Sequence, residues 1–375
     1  MKRRTLLTAA LGAAAASAQQ SRPDGDGERL ALLARGEAAL AALDPAQALA
    51  AFEQAARISH SADTEMAIVR ASMQAGEYRR ALTFGAHTAG AHLDETGGTA
   101  LYAWLLHAGA QQIVAGRLLA QALERSPGDP LLAAVANRFR AAWPIAGVLM
   151  RPPARLAPYG ESTGLPSGAS VVASATLAGG GNFALVPSPA LVRGASYWVR
   201  NGLGRLVPAR PDAARSVHGV SRLRLEAPLA GPGLVAAPAA PFPGSIAYAV
   251  EYPPQRDPAP AWPQMKAGFV GAASKDGATR ELGIELPKGS RRGGAVLDAA
   301  GRLIGVAVGT ASRADALVPA LLLRQAFGAA LFPVAAAGAA RPIAPDEIYE
   351  LALSQTLQLV RSGPARATGA KLPVP

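Results

Sequence analysis

The chain has 375 residues, room for two or three domains, and with 50% hydrophobic and 17% charged residues it is globular rather than disordered in composition. It contains no cysteine, which excludes a disulfide framework, a lipid-anchored cysteine, a cysteine nucleophile and a thiolate metal site. Its net charge of +11 is unevenly placed: residues 19–140 carry 11 basic and 13 acidic side chains, whereas residues 141–375 carry 23 and 13.

Met1-Lys2-Arg3-Arg4-Thr5 followed by the apolar run Leu6 to Ala16 reads as an export signal over residues 1–18, with Ala16-Ser17-Ala18 as a small-x-small cleavage site. The expected destination is the periplasm or exterior of a bacterium. Arg3-Arg4 admits the twin-arginine route beside general secretion. An exported protein rarely meets nucleic acid, so the basic second half is read as a solubilising surface, with weak attraction to anionic envelope surfaces as the functional alternative. After the signal no apolar run reaches membrane-spanning length, so no mature transmembrane segment is expected.

Residues 28–142 place apolar residues at helical spacing and are rich in Ala and Leu, which predicts helices. Ala48, Ala81 and Ala115 recur at 33 and then 34 residues, the period of helix-turn-helix solenoids. Small residues there let paired helices approach, while Phe52 and Leu119 fill the groove. With Gly36, Tyr78, Tyr102, Trp104 and Pro127, this pattern resembles three tetratricopeptide units, although Gly85 and Thr88 depart from it. The resemblance implies a peptide- or protein-binding face, or a scaffold that docks on the rest of the chain.

Residues 143–168 turn to Pro, Gly and Ser and mark a linker. Ten short β-type runs follow: Ser170–Leu177, Phe183–Pro187, Tyr197–Arg200, Val220–Glu226, Ile246–Val250, Phe269–Ala273, Thr279–Leu286, Ala295–Leu297, Leu303–Val308 and Asp315–Val318. Many short strands between Gly/Pro turns suit a double β-barrel over residues 169–335. A helix is expected at Ala320–Phe327, and a C-terminal one over 343–362, entered by Pro345-Asp346-Glu347 with Ile348, Leu351, Leu357 and Val360 on one face. Residues 363–375 are expected to be a disordered tail.

The segment Pro287-Lys288-Gly289-Ser290-Arg291-Arg292-Gly293-Gly294, with the hairpin Asp298-Ala299-Ala300-Gly301 and the strand after it, resembles the nucleophile loop of chymotrypsin-fold, HtrA-like serine proteases. Five further landmarks stand in family order: Gly179 to Val186, Val186 to Ala195, Gly219 to Leu225, Gly244 to Val250 with Met265 to Val270, and Asp315 to Leu322. The resemblance spans roughly Ala169 to Gly328. It implies a histidine, an aspartate and a serine at the positions held here by Ala190, Gly219 and Arg292.

Hydrolysis by such a triad needs a hydroxyl, an imidazole within about 3 Å of it, and a carboxylate to orient the imidazole. None of the three matched positions supplies its group, so the barrel pair is expected to be a pseudoprotease. Ser290 and His218 lie near the empty positions, with Asp212 the nearby carboxylate, and keep open an active serine endopeptidase with a displaced triad. His60, His87, His92 and His107 are spread over the helical region at spacings that place no two of them on one helix face with a carboxylate, so no metal site is expected. No cofactor motif occurs. The loop Ser290, Arg291, Arg292, Gly293 and Gly294 is either a vestigial anion cradle or a plain turn with solvated arginines. The expected protein is a noncatalytic exported scaffold: a multidomain α plus all-β chain with a helical solenoid, a chymotrypsin-like double barrel, a C-terminal helix, and a protein or peptide as its partner.

Overall fold

The computed structural model describes residues 23–141, 164–212, 216–253, 258–275, 277–286, 291–309, 315–338 and 340–363. The export-signal, Ser290 and tail expectations, and most of the linker, fall outside them.

Among the described residues seven helices come first: α1 (Pro23–Ala41), α2 (Pro45–Ile58), α3 (Ala62–Ala75), α4 (Tyr78–Ala91), α5 (Thr96–Ala108), α6 (Gln112–Arg125) and α7 (Pro130–Ala141). Their ends are set by local chemistry. Asp44 caps α2 by accepting from the Gln47 amide at 3.0 Å, one residue ahead of Pro45, and Gly76 closes α3 in the left-handed conformation. Ala48, Ala81 and Ala115 lie fully buried on α2, α4 and α6. Gly36 leaves the space that the Phe52 ring fills, since a Cβ there would stand 2.1 Å from it.

Among the described residues, twelve strands form two closed six-stranded antiparallel barrels, as expected of a chymotrypsin-like double barrel. The second barrel uses consecutive strands: β6 (Ile246–Glu251), β7 (Gln264–Ala273), β8 (Arg280–Gly283), β9 (Ala295–Leu297), β10 (Leu303–Val308) and β11 (Ala316–Pro319). Around the barrel they run β6, β7, β8, β11, β10, β9. The first barrel contains β1 (Ser170–Ala178), β2 (Phe183–Pro187), β3 (Ser196–Asn201), β4 (Leu206–Pro211), β5 (Val220–Leu225) and the C-terminal β12 (Thr356–Ser362). It repeats the order of the second barrel if β12 is counted as its opening strand: β12, β1, β2, β5, β4, β3. The strand that opens the first barrel is thus supplied by the far end of the chain.

Two expectations are corrected here. The C-terminal helix, α9, covers only Pro345–Gln355, and 356–362 is strand. Ser354 and Gln355 interrupt the helical apolar face, and beyond them Leu357 and Leu359 alternate with Thr356, Gln358 and Val360, the period of a strand. Leu357 and Leu359 fill the core of the first barrel, so that barrel is not contained in 169–335. Strand β4 is not among the expected runs, and it carries Pro208 and Pro211, which are uncommon inside a sheet. Its pairing with β3 and β5 holds it nonetheless. The helix at Ala320–Phe327, α8, stands where its periodicity put it.

The helices and barrels share apolar contacts. One cluster runs from Val69, Tyr78 and Leu105 through Ile348, Tyr349 and Leu353 of α9 to Val306 and Val318. Tyr349 is fully buried, meets the Tyr78 ring edge-on at 4.5 Å, and donates to the Pro263 carbonyl at 2.7 Å. Arg79 reaches Glu347 and Glu350 across the same contact. The Gln112 side chain donates to the Met265 carbonyl at 3.1 Å.

Candidate functional site

The loop before β9 crosses the seam between the barrels. The Ser174 amide of β1 donates to the Arg291 carbonyl at 3.2 Å, and the Thr176 hydroxyl donates to the Gly293 carbonyl at 2.8 Å. Both glycines are required by close approach. A Cβ on Gly293 would lie 2.1 Å from the Ser174 carbonyl oxygen, and one on Gly294 would lie 1.9 Å from that of Val250.

The positions Ala190, Gly219 and Arg292 belong to loops that meet. Ser188 donates its amide to the Gly219 carbonyl at 2.8 Å, and the Arg291 guanidinium donates to the Pro189 carbonyl at 2.6 Å. Ala190 ends a one-turn helix after β2, with its methyl group in the first-barrel core. Gly219 is the second residue of a two-residue hairpin whose ends, Val217 and Val220, exchange both backbone hydrogen bonds. That turn needs positive φ at both centres, and His218 and Gly219 adopt 45° and 82°. The His218 side chain is exposed, and the nearby Asp212 is committed to Arg222 at 2.5 Å. Three hydroxyls cluster beside the hairpin, with Ser188 at 2.5 Å from Ser216 and 2.8 Å from Ser221.

Arg292 is not solvated. It is 4% exposed, and its guanidinium makes a two-pronged contact with Asp315, at 2.8 and 3.0 Å. The reading of both arginines as solvated therefore fails for Arg292 and holds for Arg291 only in that its side chain is exposed. The partner arises from tertiary structure, because the half-buried Asp315 lies 23 residues downstream, just before β11.

Sequence reasoning missed Glu251. This carboxylate ends β6, is 1% exposed, and accepts from the Gly294 amide at 2.9 Å and the Gly293 amide at 3.3 Å. Burial pushes its proton affinity up to about 7, against the opposing pull of the Ser174 hydroxyl, the Arg292 charge and the two glycine amides. The loop's backbone donors thus already face an internal carboxyl. The one available signal was a carboxylate at the end of the apolar run Ile246–Val250. Alternation alone could not say that it turns inward.

The histidines are also placed differently from expectation. His60, His87 and His92 converge on Glu65, with imidazole nitrogens 2.7, 3.5 and 3.5 Å from its oxygens. They come together because hairpin folding brings the end of α4 beside the start of α3, a juxtaposition that spacing along one helix does not reveal. His107 stands apart, stacked on Phe139 at 4.1 Å, its proton affinity lowered to about 4 by burial and the nearby Lys266 charge.

No known family profile matches the sequence, and no curated protein matches it. Among solved structures, the serine endoprotease from Yersinia pestis is similar over 41% of this chain and 55% of its own length, at 15% identity and a TM-score of 0.34. The chain therefore spans about half of that protease. The double-barrel architecture is read from the strand order itself. Among the described residues no helix is long and apolar enough to cross a membrane.

Proposed function

We propose that this is a noncatalytic, exported protein-interaction scaffold, in which tetratricopeptide-like helices and a trypsin-like barrel pair without a triad serve as one binding platform. The observation that carries the reading is the chemistry where the three loops meet. A methyl group, a glycine and an arginine bound to Asp315 offer no nucleophile, no base and no acid to orient one. The backbone donors of Gly293 and Gly294 are engaged by Glu251, so those two amides are not available to a substrate oxyanion.

The surface gives the partner-binding half of the proposal its support. Ile246 and Phe269 are a directly opposed cross-strand pair on β6 and β7, and they are 50% and 56% exposed. Phe242, 72% exposed, precedes that hairpin. Large apolar side chains held together on a sheet face are the pattern of a surface that another protein covers.

Fluorophosphonate labelling of the purified chain tests the catalytic half, and no labelling is expected. Labelling that Ser290→Ala abolishes would establish the displaced-triad peptidase instead. Photo-crosslinking from positions 242 and 269 in cells tests the binding half. One discrete adduct, lost in the Phe269→Asp variant, is expected; absence of any discrete adduct overturns this surface assignment.

A further inference from the structure

The cluster around Glu65 has more metal-ligating groups than an ion pair needs. Glu65 lies on the first turn of α3, is 3% exposed, and neither of its oxygens receives a hydrogen bond. His60 Nδ1 stands 2.7 Å from Oε1 yet is not aligned as a donor to it. His92 Nε2, also buried and without a hydrogen bond, stands 3.5 Å from Oε2. His87 Nε2 approaches Oε1 at 3.5 Å, and its ring meets that of His60 edge-on at 5.8 Å.

Glu65 is thus a buried carboxylate with three imidazoles beside it and no hydrogen bond to either oxygen. A divalent cation accounts for that arrangement, because the carboxylate and the imidazoles can all be lone-pair donors to one centre. The ligand atoms of His60, Glu65 and His92 lie within 4.8 Å of one another. A tetrahedral ion with bonds near 2.0–2.2 Å sets its ligand atoms about 3.3 Å apart, inside the spread of nitrogen–oxygen separations here. His60 follows the C-terminus of α2, His92 caps that of α4 and Glu65 lies on the first turn of α3, so three helix ends meet at the site.

We propose that His60 Nδ1, the Glu65 carboxylate and His92 Nε2 bind one Zn²⁺ ion, with the half-exposed His87 closing the fourth position by a side-chain rotation. Mixed imidazole and carboxylate donors suit zinc. The ion ties the α2–α3 turn to the end of α4. The site is independent of the barrel seam and of the interaction surface described above.

The test uses tag-free full-length protein stripped with a chelator and titrated with Zn²⁺, followed by calorimetry and thermal melting. One ion per chain and a raised melting temperature are expected. His60→Ala, on an exposed side chain that the fold does not need, and Glu65→Gln should each weaken binding by about 100-fold or more, while the exposed His218→Ala should leave it unchanged. Substituted Co²⁺ should give a four-coordinate visible spectrum in the native chain that the His60→Ala, His92→Ala double variant lacks. Substoichiometric uptake by the native chain, or uptake and melting shift unchanged in that double variant, overturns the assignment.

Discussion

Glu251 holds the Gly294 amide at 2.9 Å, so the last residue of β6 pins the loop that precedes β9. This contact is a buried carboxyl against backbone rather than a salt bridge, and its protonation is tied to folding. The folded value of about 7 lies above the ordinary 4.5, so between those values the native chain keeps a proton that the unfolded chain has lost. The contribution of Glu251 is therefore fully present below about 4.5 and is lost as the pH rises through about 7. Its size is on the order of 3 kcal/mol. Glu251→Gln keeps an acceptor for the two amides and cannot ionise. Denaturant unfolding across this pH range should show a decline in the native protein that the variant lacks, and the variant should be the more stable of the two at pH 8.

Arg292→Ser places a hydroxyl at the position that the proposal assigns to a lost nucleophile. Because Ala190 and Gly219 bring no imidazole or carboxylate to it, the variant should remain unlabelled by fluorophosphonates. It should also be less stable by about 2–3 kcal/mol, since the half-buried Asp315 is left without its counter-charge. Labelling of this variant would mean that a base reaches the loop after all.

Ending the chain at Gln355 removes the strand between β1 and β3 and opens the first barrel there, leaving both of those strands as free edges. Such a protein should lose its cooperative melting transition and expose apolar surface to a dye such as ANS. The milder Leu359→Ala, in the same core, should cost about 2–5 kcal/mol. A truncated chain that melts like the full one would refute the role given to β12.

Tyr349→Ala should separate the helices from the barrels. It removes a fully buried ring against Tyr78 together with the hydrogen bond to Pro263, at a cost of about 3–5 kcal/mol. Calorimetry should then resolve two transitions where the native chain has one. Arg79→Ala, which deletes only an exposed pair of contacts with Glu347 and Glu350, should change stability by about 1 kcal/mol or less.

Local pattern was enough to place much of this molecule. Helical periodicity marks the N-terminal array, and the small residues Ala48, Ala81 and Ala115 mark where its helices close on each other, because both are consequences of chain geometry over a few turns. Short alternating runs between glycines and prolines mark most of the strands. The hairpin at His218-Gly219 and the close approach at Gly293-Gly294 are likewise local, since each has its own residue requirements.

Tertiary structure decided what distance along the chain conceals. The pairing of Thr356–Ser362 with β1 and β3 is a contact between chain ends, and a strand so placed gives no sign of its neighbours in its own residues. Asp315 as the partner of Arg292, Glu251 under the Gly293-Gly294 amides, and the meeting of His60, His87 and His92 at Glu65 arise in the same way. Hydrogen bonds and charges act over a few ångströms in space, so a site assembled from separate elements exists only once the barrels and helical hairpins have closed.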